Sequence, residues 1–222
     1  MKRRDFALAA SAGLPLWALA QGPAPAKPAP QEGIEYVTLD KRVPAESNDG
    51  KIEVIEFFWY SCPHCNAFEP RFAQWIKSAP KDVVVRRVPV RFRDDFEPQQ
   101  RMFYTLEAMG KLEALHVKLF TAIHGDKQKL DTFDALSAWA VKNGLDKAKF
   151  TELYNSFPVN MKARKATQLQ EAFMVDGVPA LGVDGRYYTS GSLAGNMARA
   201  LTVTDHLLTL ARSSKAAPAK AR

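Results

Sequence analysis

The chain contains two cysteines, which stand three residues apart in Ser61-Cys62-Pro63-His64-Cys65. A pair at this spacing can join only within a tight turn or the first turn of a helix. As a staple it would be poor: closing a loop of about four residues contributes about 2 kcal/mol by chain entropy, against about 3 for fifteen. A zinc site needs about four ligands. His116, His124 and His206 lie far off in sequence, in helical segments, so no metal site is expected. A structural disulfide, or an inert pair of thiols, is the plainer alternative to redox exchange. Exchange has a physical basis if Cys62 stands at a helix N-terminus. Free backbone N–H groups there point toward the sulfur, favour the thiolate and lower its pKa. Pro63 loses nothing at such a position, because its N–H would have had no partner. His64 adds a donor, and a positive charge when protonated. A stabilised thiolate is also a good leaving group, and the lower its pKa, the more strongly the disulfide oxidises.

Two further places bear on that chemistry. Glu56 lies six residues before Cys62 in an otherwise apolar stretch. A buried carboxylate is expensive unless paired. Either its face is partly exposed or paired with an arginine, or it is a buried proton acceptor for Cys65 with a raised pKa. Gly177-Val178-Pro179 precedes a second apolar stretch. A proline entering a strand marks an edge or a turn and can be cis. If it lies beside Cys62, the Val178 backbone can pair with an extended substrate segment; otherwise it is a loop proline.

The elements around these residues follow from periodicity. Tyr36 to Leu39 reads as a short strand, and the nearly continuous apolar run Ile52 to Trp59 as a strand covered on both faces. A helix should begin at the cysteines and carry Phe68, Phe72, Trp75 and Ile76 on one face; Val83 to Phe92 is the next strand. Strand, helix, strand implies a parallel pair with a right-handed crossover. Five helices are expected from Glu97 to Phe173, with stop signals at Gly110, Gly125 and Asn143-Gly144. Asp131 or Thr132 caps the third, Asp146 the fourth, which carries Phe157, and Pro158 opens the fifth. Ala180 to Val183 and Arg186 to Thr189 flank Asp184-Gly185, a strong hairpin signal. A final helix is expected from Leu193 to Ala211. The fold class is therefore α/β, a sheet interrupted by a helical subdomain. The methionines Met102, Met109, Met161, Met174 and Met197 are assigned mainly to the core.

The ends and the composition add context. Lys2, Arg3 and Arg4 precede a mostly apolar run from Ala7 to Ala20 that is shorter than the about 20 residues a membrane span needs. Ala18-Leu19-Ala20 supplies small residues for cleavage, so 1–20 reads as a signal peptide for the Sec or twin-arginine route. Residues 21–33 form a Pro/Ala-rich tether and 213–222 a disordered basic tail. Export implies a periplasmic location. The 222 residues are 46% hydrophobic and 25% charged, which excludes wholesale disorder and a disulfide scaffold. The net charge of +7 does not by itself imply nucleic acid. Arg86, Arg87, Arg91 and Arg93 are explained as charged edge positions, and no nucleic-acid partner is expected.

Glu56-Phe57-Phe58, then Cys62-Pro63-His64-Cys65, a helical insertion and Gly177-Val178-Pro179-Ala180 together resemble the DsbA family of bacterial thiol:disulfide interchange proteins, over about Tyr36 to Ala211. The resemblance implies a thioredoxin fold with an inserted all-helical subdomain: 34–96 and 175–212 for the thioredoxin-like part, 97–174 for the insertion. It implies Cys62 as the exposed nucleophile, Cys65 as the resolving cysteine, Pro179 as a cis-proline facing Cys62 and Glu56 beneath the site. It implies reduced, newly exported polypeptides as substrates, a DsbB-type quinone-linked inner-membrane oxidase as partner, no cofactor beyond the redox-active disulfide, and a monomer. Leu181-Gly182 places a small residue where many members carry a bulky one, and the substrate groove is expected to differ there. A disulfide isomerase or reductase of the same fold, and a non-enzymatic periplasmic chaperone, are the alternatives. No N-terminal dimerisation domain is seen to support the isomerase.

Overall fold

The computed structural model describes residues 28–46 and 50–216. The expected signal peptide, the expected tether as far as 27 and the expected tail from 217 lie outside the described residues. Five strands form one sheet: β1 (Val37–Thr38), β2 (Ile52–Phe58), β3 (Val83–Pro89), β4 (Ala180–Val183) and β5 (Tyr187–Ser190), in the order β1, β5, β4, β2, β3. β2 and β3 are parallel, joined through helix α1 (Pro63–Ser78); the β2–β4, β4–β5 and β5–β1 pairs are antiparallel. Five helices lie between β3 and β4: α2 (Glu97–Ala108), α3 (Leu112–His124), α4 (Phe133–Lys142), α5 (Lys147–Tyr154) and α6 (Phe157–Ala172). The chain then makes the β4–β5 hairpin, where Asp184 and Gly185 both take positive φ, and closes with α7 (Gly191–Ala194) and α8 (Met197–Ala216).

Every residue of β2 is buried, as its unbroken apolar run predicts. Ile52 and Val54 belong to a cluster that continues into Val203, Leu207 and Leu208 of α8. Ile55, Phe57 and Phe58 belong to a second cluster that runs into the helical block. Direct ring contacts carry this junction: Phe57 with Phe173 at 5.3 Å, and Phe58 with Phe103 and Phe120 at 5.5 and 5.9 Å. The sheet and the five helices therefore share one core.

Several boundaries differ from the sequence expectation. β3 stops at Pro89, because past Val90 the backbone leaves the ladder and the N–H of Arg91 donates to Gln170 at 2.7 Å. Phe157 opens α6 instead of belonging to α5; Ser156 caps α6, and Phe157 stays 75% exposed. The final helix is broken. Gly195 takes the left-handed conformation (φ 84°), which ends α7, and Asn196 restarts the chain by accepting from the Arg199 N–H. α8 then runs to Ala216, past the expected stop at Ala211 and into the supposed tail. Arg212 pairs with Asp82, and Lys215 Nζ donates to the carbonyls of Gly50 and Lys51, which holds that last turn in place. The end of the tether is also packed: Arg199 binds the Pro28 carbonyl and the Glu35 carboxylate. Among the described residues no helix is long and apolar enough to cross a membrane.

Candidate active site

Cys62 ends the turn that follows β2 and is the N-cap of α1. Its backbone is extended (φ −79°, ψ 117°), its N–H donates to Trp59 at 3.0 Å, and Pro63 takes the first helical position. The Cys62 sulfur accepts from the Cys65 N–H at 3.4 Å, so it serves as the capping acceptor that Ser or Asp provides elsewhere. Cys65 lies one helical turn on and is 0% exposed. Cys62 is less open than expected of a nucleophile, at 7% exposed. The cis Val178–Pro179 loop explains the cover: the Val178 carbonyl lies 3.4 Å from the Cys62 sulfur. His64 and Pro63 face solvent. Thus Cys62, Pro63, His64, Cys65, Val178 and Pro179 are brought to one place.

The two sulfurs have opposite electrostatics. The Cys62 thiol falls to about 6, first because the Cys65 thiol donates to its sulfur; burial opposes this, and the N–H groups of Cys65 and His64 and the His64 charge assist. The helix N-terminus therefore contributes as anticipated, but Cys65 contributes more. Burial pushes the Cys65 thiol well up, and the Cys62 charge adds to it.

Glu56 of β2 is 1% exposed and near enough to Cys65 for its charge to push that thiol up. It is paired with an arginine, as the first reading expected, and its carboxyl is raised, as the second requires. Its Oε2 accepts from Arg87 Nε at 3.1 Å, while Oε1 has no partner, so a proton on Oε1 costs no hydrogen bond. Burial, with Glu69 adding, pushes the Glu56 carboxyl up to about 8 against the pull of Arg87. Arg87 comes from the edge strand β3 and reaches inward to both Glu56 and Glu69. Arg86 likewise pairs with Glu53 and Glu46, and Arg91 with Asp94 and Glu97. These arginines neutralise carboxylates rather than form a bare basic strip.

Three residues of the helical block clamp the turn before Cys62, and sequence reading missed them. Gln99 of α2 accepts from the Ser61 N–H and donates to the Ser61 hydroxyl, at 3.1 and 2.7 Å. His116 of α3 takes the Tyr60 hydroxyl at 2.8 Å through Nδ1, and His124 meets the Tyr60 carbonyl at 2.7 Å. The histidines, distant in sequence, are thus close in space, serving as hydrogen-bond partners. A polar residue on the inner face of a helix is the only local signal each carries. Among the described residues no group of three His, Cys, Asp or Glu side chains is placed to hold a metal ion.

A groove of about 520 Å³ opens beside Cys62, between α1, the Val178–Pro179 loop and the β5–α8 connection. Met197 lines it and Met174 is 61% exposed, so of the five methionines assigned mainly to the core Met102 is the one fully buried. Gly182 does not line it. A Cβ there would stand 2.4 Å from the Phe173 ring, so the small residue makes room for a core aromatic and leaves the groove unaltered.

Comparison with known proteins shows the family and the fold. The family model described as a DSBA-like thioredoxin domain matches residues 53–201. The thiol:disulfide interchange protein DsbA of Bordetella parapertussis is 45% identical over 183 residues, 82% of this chain and 87% of that one. The protein of the same name from Burkholderia cepacia is 38% identical, over 89% and 93% of the two chains. The crystal structure of Pseudomonas aeruginosa DsbA superposes with a TM-score of 0.79 at 39% identity, covering 83% of this chain and 96% of that one.

Proposed function

This chain belongs to the DsbA family of thioredoxin-fold thiol:disulfide oxidoreductases, and on that premise we propose that it is a disulfide donor to reduced, newly exported polypeptides. The asymmetry of the two sulfurs carries this assignment: Cys62 is lowered to about 6 and keeps 7% exposure, while Cys65 is fully buried and raised.

The steps balance within the sulfur atoms. A substrate thiolate attacks Cys62 of the Cys62–Cys65 disulfide, forms a substrate–Cys62 bond and expels Cys65, which takes up a proton. A second substrate thiolate attacks the substrate sulfur of that mixed disulfide and releases Cys62 as the thiolate. The substrate gains a disulfide and loses two electrons, and the cysteine pair is reduced. The reaction needs no cofactor beyond the redox-active disulfide. Glu56, with its carboxyl at about 8, exchanges the proton of Cys65, as donor when Cys65 is expelled and as acceptor when the pair is reoxidised. Val178 offers its backbone to an extended substrate segment, and Pro179 shapes that edge. The working location is the periplasm, reached through a cleaved signal at 1–20, and the protein acts as a monomer. A DsbB-type quinone-linked oxidase of the inner membrane restores the disulfide.

The test is the reduction potential of the Cys62–Cys65 pair against glutathione, together with adduct trapping. A potential more oxidising than about −200 mV, and mixed disulfides accumulating on Cys65→Ser but not on Cys62→Ser, are expected. A value near about −270 mV would reassign the protein as a reductant.

A further inference from the structure

We propose that the groove beside Cys62 selects substrate segments that carry a carboxylate, and that Arg71 is the selecting residue. This rests on the groove being the substrate site. Along α1, Ala67, Phe68 and Arg71 stand three, four and seven positions after His64, so the four line one face of the helix, and all border the groove. Phe68 is buried in the groove floor, and Met197 faces it from α8. The apolar part of the groove suits an apolar substrate side chain. Arg71 stands at its far end from Cys62.

Arg71 is exposed and has no ion pair or hydrogen bond among the described residues. This sets it apart from Arg86, Arg87 and Arg91, each of which already holds carboxylates. The groove contains one carboxylate, Asp176, and it is engaged by the Tyr188 hydroxyl at 3.2 Å. An incoming acidic side chain therefore meets an unpaired cation on α1, while Asp176, hydrogen-bonded by the neutral Tyr188 hydroxyl, stands on the opposite loop. Arg71 follows Cys62 by nine positions, about 13 Å along the helix axis. Helical side chains lean back toward the N-terminus. An extended segment covers about 3.3 Å per residue, so the selected carboxylate lies about three to five residues from the reacting cysteine.

The test uses the oxidised full-length protein and reduced peptides of one length. Each peptide carries a single cysteine and Glu, Gln or Lys four residues from it, on one side or the other. The second-order rate of attack on the Cys62–Cys65 disulfide is measured. It is divided by the same peptide's rate with the uncharged bis(2-hydroxyethyl) disulfide, which removes the effect of the charge on the peptide thiol itself. On one of the two sides Glu is expected to exceed Gln by about two- to five-fold, the range for an exposed ion pair. The ratio should fall toward one at high salt. Arg71→Glu should reverse the order in favour of Lys, a reversal that a purely structural role for Arg71 would not produce. Equal Glu and Gln rates on both sides, or a Glu preference that survives in Arg71→Glu, overturn the charge selection alone. A protein that reacts with none of the peptides overturns this proposal and the substrate-donor function together.

Discussion

Cys62 and Cys65 are one helical turn apart, yet one thiol is lowered to about 6 and the other is raised well above its usual value. The largest influence on Cys62 is the proton that Cys65 directs at it. Replacing Cys65 by Ala should therefore raise the Cys62 midpoint from about 6 toward the ordinary thiol range, and Cys65→Ser, which keeps a donor, should raise it less. A titration of thiolate absorbance in the two variants distinguishes them; midpoints that stay near 6 in both would transfer the credit to the helix N-terminus. Glu56 makes a second test. Its carboxyl moves from 4.5 unfolded to about 8 folded, so between those values the native state keeps a proton that the unfolded chain has lost. Stability must then fall as pH rises through that window, by up to about 1.4 kcal/mol per unit. Urea unfolding of the oxidised protein, in which Cys62 does not titrate, should show that slope, and Glu56→Gln should flatten it.

At the level of elements, α1 aims the cysteines and the helical block anchors the turn that precedes them. Gln99 binds Ser61 twice, and His116 and His124 bind Tyr60, so four hydrogen bonds from α2 and α3 hold the turn after β2. On the neighbouring strand β4, Gly182 lets the Phe173 ring approach the backbone, where a Cβ would meet it at 2.4 Å. Gly182→Val should overpack that contact and cost about 1–3 kcal/mol in chemical denaturation. Adding Phe173→Leu should recover part of the loss, as expected for two residues in contact. A loss that Phe173→Leu does not relieve would mean that the strand itself, rather than the ring, resists the side chain.

Across the whole molecule, the sheet and the five helices between β3 and β4 bury a common cluster that includes Phe57, Phe58, Leu119, Phe120 and Phe150. Neither part retains its core without the other, so unfolding should be one cooperative transition. Leu119→Ala, at a fully buried position in α3, should destabilise by about 2–5 kcal/mol. Near- and far-ultraviolet circular dichroism should then shift together, because the sheet loses the face that α3 covers. Two separate transitions would show that the helical block folds on its own.

The chain's own pattern determined the elements and the chemistry. An unbroken apolar run made β2 a strand covered on both faces, Asp184-Gly185 made a hairpin, and a helix start at the cysteines placed Cys62 at an N-terminus. These are local properties, set by periodicity and by which residues tolerate a turn or a cap. The partners of those residues depended on distant segments. Arg87 reaching Glu56, the Val178 carbonyl covering Cys62, and Gln99, His116 and His124 gripping the turn each join residues more than thirty positions apart, and what they share is the requirement that buried polar groups find partners. The break at Gly195 and the fit of Gly182 to Phe173 are likewise tertiary: a glycine reads the same in sequence whether it ends a helix or admits a ring. Spacing alone proposed which atoms react, and packing decided how far each sulfur's proton affinity is shifted, because burial and hydrogen-bond partners exist only once the chain is folded.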